Sequence, residues 1–261
     1  MTLEVVAAPL FEQENIFLGS ILLFRDMTEI KRLEAEVERS RRLASLGGLA
    51  AGVAHEIRNP LSSIKGFATH FRERFVDVPG EREAAEVMIR EVDRINRVIT
   101  QLIELARPLK MNIVPVSLPV VIRHALALIE NEAAKKGVAV QTDMPAGKWE
   151  ISIDADRMTQ VFLNLFLNAL EAMEKGGELR VSLLGQEEKA IRITIADTGR
   201  GIPAADLPRV FDPYFTTRSA GTGLGLAICH KIVEAHQGEI FLESEEGKGT
   251  KVSLILPVRS S

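Results

Sequence analysis

The sequence lacks the features that mark secreted or membrane-spanning proteins. Its single cysteine, Cys229, excludes an intramolecular disulfide and fits a reducing compartment. The longest apolar run near the N-terminus, residues 16–24, is interrupted by Gly19 and Ser20 and is too short to span a bilayer. No basic segment precedes this run, so we predict neither a signal peptide nor a membrane helix. We expect a cytoplasmic chain without membrane contact, whose longer natural form has room for an upstream anchor in the inner membrane.

The charge balance also excludes a strongly basic surface. The chain carries 32 lysine and arginine residues against 36 acidic ones, a net charge of −4, which argues against nucleic acid as a partner. Apolar residues make up 46% and charged residues 26%, as in folded globular proteins. A length of 261 residues is enough for one large or two ordinary domains.

The N-terminal segment predicts two β-strands. Residues 1–25 contain two apolar runs around a polar turn at residues 12–15. Because a lone hairpin is marginal in water, it either pairs across a dimer or is the tail of a domain cut off upstream. Asp26 and Glu29 then have the spacing of a capping box, which predicts the start of a helix.

The next segment predicts long helices with narrow apolar seams. Small and apolar residues alternate at spacings of four and three from Leu33 to Gly47, as in a two-stranded coiled coil. The helix that carries His55 continues to Arg74, and the imidazole lies roughly opposite the buried seam. A break at residues 78–80 leads to a second helix that ends at Pro108. Its predicted inward residues are Ala84, Val87, Val92, Ile95, Val98, Leu102 and Leu105.

This helical hairpin predicts a homodimer. Two helices joined by a short loop cannot bury both of their apolar faces, whereas two such hairpins form a four-helix bundle. After a linker at residues 109–115, helices and strands mix, which predicts an α/β sandwich with one mixed sheet and helices over one face. The predicted helices are 117–136, 155–175 and 223–236, and the predicted strands are 137–143, 149–153, 178–185, 190–196, 238–244 and 250–256. The fold class is therefore α+β with several domains.

One predicted helix carries polar residues on an otherwise apolar surface. Asn164 and Asn168 lie one turn apart on the same face, and Arg157, Gln160 and Glu171 fall on the same flank. Buried amides without partners are unfavourable. Two interpretations stay open: a network of side-chain hydrogen bonds, or a wet pocket whose amide oxygens bind a cation such as Mg²⁺.

Two glycine-containing turns follow predicted strands or precede a predicted helix. Asp197 ends a predicted strand and is followed by Gly199 and Gly201. The two glycines let the backbone approach a flat ligand closely. The carboxylate of Asp197 can accept a hydrogen bond from an amine such as that of adenine. Residues 221–225 contain three glycines before a helix, whose free amides can hold phosphate. Each pattern alone is common in ordinary turns.

Between these turns lies a predicted lid. Residues 211–215 are rich in aromatic side chains, and Thr216, Thr217 and Arg218 follow them. We interpret the aromatics as docking groups, at least some of which simply pack in the core. The arginine and threonines suit phosphate oxygens.

In combination, these segments resemble the H, N, G1, F and G2 boxes of two-component sensor histidine kinases. The five segments are residues 55–60, 164–169, 197–202, 211–215 and 221–226, and the resemblance covers about residues 40–257. The short lid and the residues before His55 look most like the zinc-responsive and nitrogen-regulatory kinases. The N-terminal hairpin resembles the end of a PAS sensor domain.

The resemblance implies a division of the chain into five parts. The parts are a truncated PAS-like end (1–28), a coiled-coil signalling helix (29–45), a dimerisation and phosphotransfer hairpin (46–108), a linker (109–115) and an ATP-binding domain of the GHKL type (116–261). It implies an ATP- and Mg²⁺-dependent kinase that phosphorylates itself and passes the phosphoryl group to an aspartate of a response regulator.

The resemblance also implies a role for each site residue. His55 is the phosphoacceptor, because neutral imidazole is nucleophilic near pH 7, and Glu56 orients the ring and accepts a proton. Asn59 belongs to a segment that resembles a phosphatase motif. Asn168 matches the Mg²⁺ ligand, and Asp197 matches the adenine-binding carboxylate. The remaining nucleotide-binding residues are Asn164, Gly199, Gly201, Thr216, Thr217, Arg218, Gly221, Thr222, Gly223, Leu224 and Gly225.

Two other functions remain open. One is a hydrolysing ATPase of the same superfamily, with the hairpin used only for dimerisation. Relatives that hydrolyse ATP carry a glutamate where this chain has Asn164, which lacks a base to activate water, so we expect the γ-phosphoryl group to go to His55. The other is a dimeric scaffold that binds nucleotide as a signal.

Overall fold

The computed structural model describes residues 3–11, 17–27, 57–76, 78–106, 109–145, 147, 149–186, 190–218 and 221–258. The predicted coiled coil at residues 29–45, and the predicted phosphoacceptor pair His55 and Glu56, lie outside these ranges. Within them, no helix combines the length and the apolar character that crossing a membrane requires.

The N-terminal strands form the predicted hairpin. Strand β1 (Leu3–Phe11) pairs antiparallel with β2 (Phe17–Asp26), with one irregularity at Leu10. Its large side chains remain exposed: Val5 and Val6 are 52% and 53% exposed, and Leu23 is 62% exposed. The hairpin therefore leaves apolar surface uncovered in the described part of the chain, as expected for an element that needs a further partner.

Two helices form the second element. Helix α1 covers residues 57–74 of the described range, and α2 (Pro79–Ala106) follows after a short turn. Leu61 of α1 packs against Val92 and Ile99 of α2. Pro79 lies in the first turn of α2, where its missing N–H has no helical partner to lose.

The single chain buries only part of the predicted inward face of α2, which was predicted for a bundle of two hairpins. Val92 and Leu105 are buried, whereas Ala84, Val87 and Ile95 are exposed in the single chain. Ile99 is buried instead, although the spacing did not predict it. The reason is that α2 has two adjacent apolar faces and α1 covers only one of them.

The remaining elements form the α/β sandwich. They are β3 (Val114–Ser117), α3 (Leu118–Lys136), β4 (Val138–Asp143), β5 (Glu150–Ile153), α4 (Ala155–Ala172), β6 (Gly177–Gln186), β7 (Ala190–Asp197), α5 (Gly225–Ala235), β8 (Glu239–Glu245) and β9 (Gly249–Pro257). Five strands form one sheet in the order β4-β6-β7-β9-β8, in which only the β4–β6 pair is parallel. A single mixed sheet with helices against it was predicted, and the sandwich fold is confirmed.

Two details of that prediction are wrong. Residues 114–115 belong to β3 rather than to a linker, and β5 pairs with β3 instead of joining the main sheet. Pro115 argued against predicting a strand here, because a proline cannot donate a hydrogen bond to a β ladder and is tolerated only at the edge of a sheet.

The core lies between the helices and one face of the sheet. Along β7, Ile191, Ile193 and Ile195 are buried while the residues between them are not, which is the period of a strand with one covered face. Phe162 and Phe166 of α4 stack with their ring centroids 6.1 Å apart. Cys229 of α5 is fully buried, as predicted, and burial raises the pKa of its thiol to about 12.

The N-terminus of α4 is held by a buried carboxylate. Asp154 Oδ1 accepts a hydrogen bond from Arg157 N (3.0 Å), and Oδ2 accepts one from Asn112 N (2.8 Å). The backbone N–H of Asp154 donates to His236 Nε2 (3.0 Å). Burial tends to raise the pKa of Asp154, but the backbone donors and the nearby charges of Arg157 and His236 outweigh it, so this pKa lies below its ordinary value of 3.8.

Candidate functional site

The polar flank of α4 contacts two different partners. At its beginning, Arg157 Nη1 and Gln160 Nε2 donate to the two carboxylate oxygens of Glu104 in α2, at 2.8 and 2.7 Å. Further along α4, Asn168 and Glu171 accept hydrogen bonds from Arg218 of the lid. The first half of the flank is therefore a hydrogen-bond network, and the second half faces the lid.

The last turn of α2 touches the sandwich at two further points. Lys231 Nζ in α5 donates to the carbonyl oxygens of Glu104 (3.1 Å) and Leu105 (2.6 Å). Burial lowers the pKa of Lys231, and the charge of Glu104 offsets part of that shift. Thr222 Oγ1 in the glycine-rich loop donates to Gln101 Oε1 (2.8 Å). We call this contact the interdomain clamp. On the side of α2 it consists of Gln101, Glu104 and Leu105, and on the side of the sandwich it consists of Arg157, Gln160, Thr222 and Lys231.

Sequence reasoning missed the interdomain clamp. The signal that could have found it was Arg157 and Gln160 themselves, because two polar residues on a buried helix require partners. Their partner, Glu104, is one of many acidic residues on α2 and has no distinguishing spacing.

Asp197 lies at the end of β7 with a partly satisfied carboxylate. Its Oδ1 accepts hydrogen bonds from Gly199 N (2.8 Å) and Thr250 N (3.3 Å). Burial raises the pKa of Asp197, although these two donors and the charge of Arg218 act in the opposite direction. Within the described ranges no residue donates to Oδ2, which leaves this oxygen for a donor on a ligand.

The two glycines after Asp197 are required by close packing. A Cβ on Gly199 would lie 2.7 Å from the Cβ of Ala172, at the end of α4. Gly201 has a φ of 68°, and a Cβ there would overlap the carbonyl oxygen of Glu245. The turn is thus held between α4 and the β8–β9 turn.

The glycine-rich loop lies directly under the lid. Gly223 has a φ of 67°, and its carbonyl oxygen accepts a hydrogen bond from Tyr214 N (3.0 Å). A Cβ on Gly221 would overlap Thr216 Oγ1. Leu224 is fully buried and anchors the loop at the start of α5. A Cβ on Gly225 would lie 3.9 Å from Asn164 Cγ, so the loop and the asparagine flank face each other.

The lid is held by aromatic and polar contacts. The rings of Phe211 and His230 lie 5.5 Å apart, and the guanidinium of Arg209 lies 4.6 Å from the ring centroid of Phe215. Both phenylalanines are half-buried, whereas Tyr214 is 56% exposed. The expectation that some of these aromatics pack in the core is therefore not met, because none of the three belongs to the buried core of the sandwich.

The threonines of the lid are exposed. Thr216 Oγ1 accepts a hydrogen bond from Arg218 N (3.1 Å), and the side chain of Thr217 is also exposed. Both hydroxyl groups lie in the segment that joins the aromatic cluster to Arg218.

Asn59 is exposed on α1. Its neighbour Arg58 donates from Nη2 to Thr100 Oγ1 (3.0 Å), which ties this part of α1 to α2. The described residues contain no group of three or more histidine, cysteine or acidic side chains that could hold a metal ion.

Family models match both parts of the chain. Residues 153–260 match the family described as "Histidine kinase-, DNA gyrase B-, and HSP90-like ATPase". Residues 45–109 match the family described as "His Kinase A (phospho-acceptor) domain". By the first match, the sandwich is of the ATPase class that histidine kinases share with DNA gyrase B and HSP90.

Within this class, the chain is most informatively compared with known histidine kinases. Sensor histidine kinase ZraS of Escherichia coli K12 is 43% identical over 253 residues, which cover 95% of this chain and 54% of that protein. The catalytic domain of histidine kinase ThkA is 30% identical and matches with a TM-score of 0.52, covering 57% of this chain and 97% of that domain. The chain belongs to the sensor histidine kinases. It spans about half the length of the ZraS proteins that it matches.

The whole arrangement also matches a larger structure. Histidine kinase ThkA in complex with response regulator protein TrrA is 27% identical, with a TM-score of 0.65. The match covers 98% of this chain and 75% of that one.

Proposed function

We propose that this chain transfers the γ-phosphoryl group of ATP to His55 and then to an aspartate of a response regulator. The observation that carries the proposal is the convergence of three elements: the half-buried carboxylate of Asp197, the asparagine flank of α4 and the glycine-rich loop before α5. These three kinds of group suit the three parts of a metal-bound ATP: the carboxylate suits the adenine ring, the asparagines suit the metal ion, and the loop suits the phosphates.

Each element has a role in holding the nucleotide. Asp197 Oδ2 accepts a hydrogen bond from the adenine amine, and the turn at residues 199–201 lets the ring approach the backbone. The amides of the loop at residues 221–225 hold phosphate oxygens at the start of α5. Asn168, supported by Asn164, provides the oxygen for Mg²⁺, which when bound neutralises charge on the phosphates.

The transfer itself needs an unprotonated ring nitrogen. A nitrogen of His55 attacks the γ-phosphorus, the bond to the β,γ-bridging oxygen breaks, and ADP leaves. Glu56 orients the ring and takes a proton from it. A carboxylate oxygen of the response regulator then attacks the same phosphorus, the bond between phosphorus and the ring nitrogen breaks, and Glu56 returns the proton, so that His55 regains its neutral starting state.

We propose that the hairpin of α1 and α2 forms a four-helix bundle with a second copy. In the single chain, Phe67, Phe71 and Val87 are 65%, 42% and 45% exposed, so both helices present an uncovered apolar face. This proposal includes the division of the chain at residues 28, 45 and 108, with a linker that ends before β3 at Val114. It also includes a PAS-like end before the signalling helix and a cytoplasmic location for the kinase.

One labelling experiment tests the main proposal. The wild-type chain and His55→Gln are incubated with γ-labelled ATP and Mg²⁺. Acid-labile label on the wild type alone supports the kinase. Rapid phosphate release by both proteins would instead support the hydrolysing ATPase, and nucleotide binding without either result would support the scaffold.

Asn59 is proposed to act in the reverse direction by orienting water on the phosphorylated response regulator. Its exposure on α1 and its place four residues after His55 in the sequence support this role. The similar kinase ThkA forms a complex with response regulator protein TrrA, which supports such an encounter here. Asn59→Ala should slow dephosphorylation of the partner while labelling of His55 continues; unchanged dephosphorylation would remove the idea.

A further inference from the structure

Arg218 of the lid occupies the metal side of the asparagine flank. Its Nη1 donates to Asn168 Oδ1 (3.1 Å) and to Glu171 Oε2, and its Nη2 donates to the backbone oxygen of Asn168 (3.0 Å). The Arg218 side chain is 28% exposed, so this is a partly buried, multiply bonded contact. It involves the one asparagine that the proposed function assigns to Mg²⁺.

Arg218 and a metal ion cannot share this oxygen favourably. A magnesium ion lies about 2.0–2.1 Å from its ligand oxygens, and a guanidinium 3.1 Å from the same oxygen would place two cations side by side. Arg218 must therefore leave Asn168 and Glu171 before Asn168 can bind a metal ion.

We infer that Arg218 makes the site selective for ATP over ADP. This inference rests on the proposed function of the same site. Both nucleotides, bound with Mg²⁺, require the release of Arg218 from α4. Only a γ-phosphate reaching into the lid gives the released guanidinium a new anionic partner, and guanidinium–phosphate pairs are among the stronger hydrogen bonds in proteins. Binding of ADP therefore breaks the contacts between Arg218 and α4 without giving Arg218 a new phosphate partner.

Calorimetric titration of the full chain tests this inference. Wild type, Arg218→Met and the control Arg123→Met are titrated with ADP and with β,γ-imido-ATP, each in excess Mg²⁺ and again in EDTA. Arg123 is an exposed arginine on α3, so its substitution makes the same change in net charge. From the usual strength of hydrogen bonds to charged groups, we expect wild type to prefer the triphosphate by roughly tenfold or more.

The decisive result is the sign of the change in ADP affinity. Removing a positive charge should weaken binding of any anion, whereas this inference requires Arg218→Met to bind Mg²⁺–ADP severalfold more tightly than wild type. The ratio of the two affinities should fall toward one, and the gain for ADP should vanish in EDTA. Arg123→Met should behave as wild type.

A second variant separates the resting contact from the phosphate contact. Glu171→Gln weakens the hold on Arg218 but keeps the guanidinium, so both nucleotides should bind more tightly by a similar factor and their ratio should stay as in wild type. Equal weakening of both nucleotides in Arg218→Met would overturn the inference and leave Arg218 as a simple phosphate contact. Failure of wild type to bind either nucleotide would overturn the proposed site itself.

Discussion

The interdomain clamp makes a quantitative prediction about the end of α2. Glu104→Gln keeps the shape of the side chain but removes the charge that faces Arg157 and Lys231. The Glu104 and Arg157 side chains are 27% and 31% exposed, between a surface pair and a fully buried one. Exposed pairs contribute up to about 1 kcal/mol, and breaking a fully buried pair costs about 3–5 kcal/mol. We expect the clamp to lose about 1–2 kcal/mol of stability. The equilibrium between the closed clamp and a form in which the end of α2 has separated from the sandwich should then shift roughly 5- to 30-fold toward the separated form.

Hydrogen–deuterium exchange measures this shift directly. Amides of residues 101–106 should exchange roughly 5- to 30-fold faster in Glu104→Gln, while those of residues 85–92 serve as an internal reference. Glu86→Gln is the matched control, because Glu86 pairs with Arg82 on the same helix at 3.4 Å with side chains 39% and 50% exposed. It should change nothing measurable.

The pairwise part of the effect follows from a double-mutant cycle with Arg157→Met. The coupling energy between the two positions should be about 1–2 kcal/mol, because each substitution removes the same contact. Unchanged exchange at residues 101–106 in Glu104→Gln, or equal acceleration along all of α2, would refute the clamp as the cause of protection.

Three further predictions concern other parts of the molecule. Asp197→Asn should abolish nucleotide binding in calorimetry without lowering the urea midpoint at pH 7, because burial raises the pKa of Asp197 and its charge does not favour folding there. Asp154→Asn should lose about 1 kcal/mol of stability at pH 7, because an amide has one oxygen and cannot replace both the bond from Arg157 N and the bond from Asn112 N. The pKa of Asp154 is lower in the folded state than its ordinary value of 3.8. The greater stability of the wild type over the variant, measured by urea unfolding, should therefore be complete above pH 3.8 and should disappear as the pH falls through the pKa of the folded state. Phe67→Glu should shift sedimentation toward monomer by placing a charge on the uncovered face of the hairpin.

Most of the sandwich could be predicted because its elements have clear periods. Strand β7 alternates buried and part-exposed residues, and α4 is apolar on most of its surface, so type and order followed from local sequence. Strand β3 could not, because four residues with a proline carry almost no periodic signal. Its pairing with β5 is a tertiary property.

The site was predictable in its parts but not in its contacts. Asp197, Asn168 and the glycines could be singled out because carboxylates, amides and glycines are unusual at the ends of buried elements. The resting contacts of Arg218, and the choice of Glu104 as partner of Arg157, depend on which surfaces the fold brings together across about 50 residues of sequence. No spacing rule encodes such pairs.

The sole cysteine has a practical consequence. Cys229 is fully buried in α5 with a thiol pKa of about 12, so it offers almost no thiolate to a reagent near neutral pH. A new cysteine introduced on the surface should therefore be the sole reactive thiol under native conditions. Fluorophores or spin labels can be attached at chosen positions on either side of the clamp without first replacing the native residue.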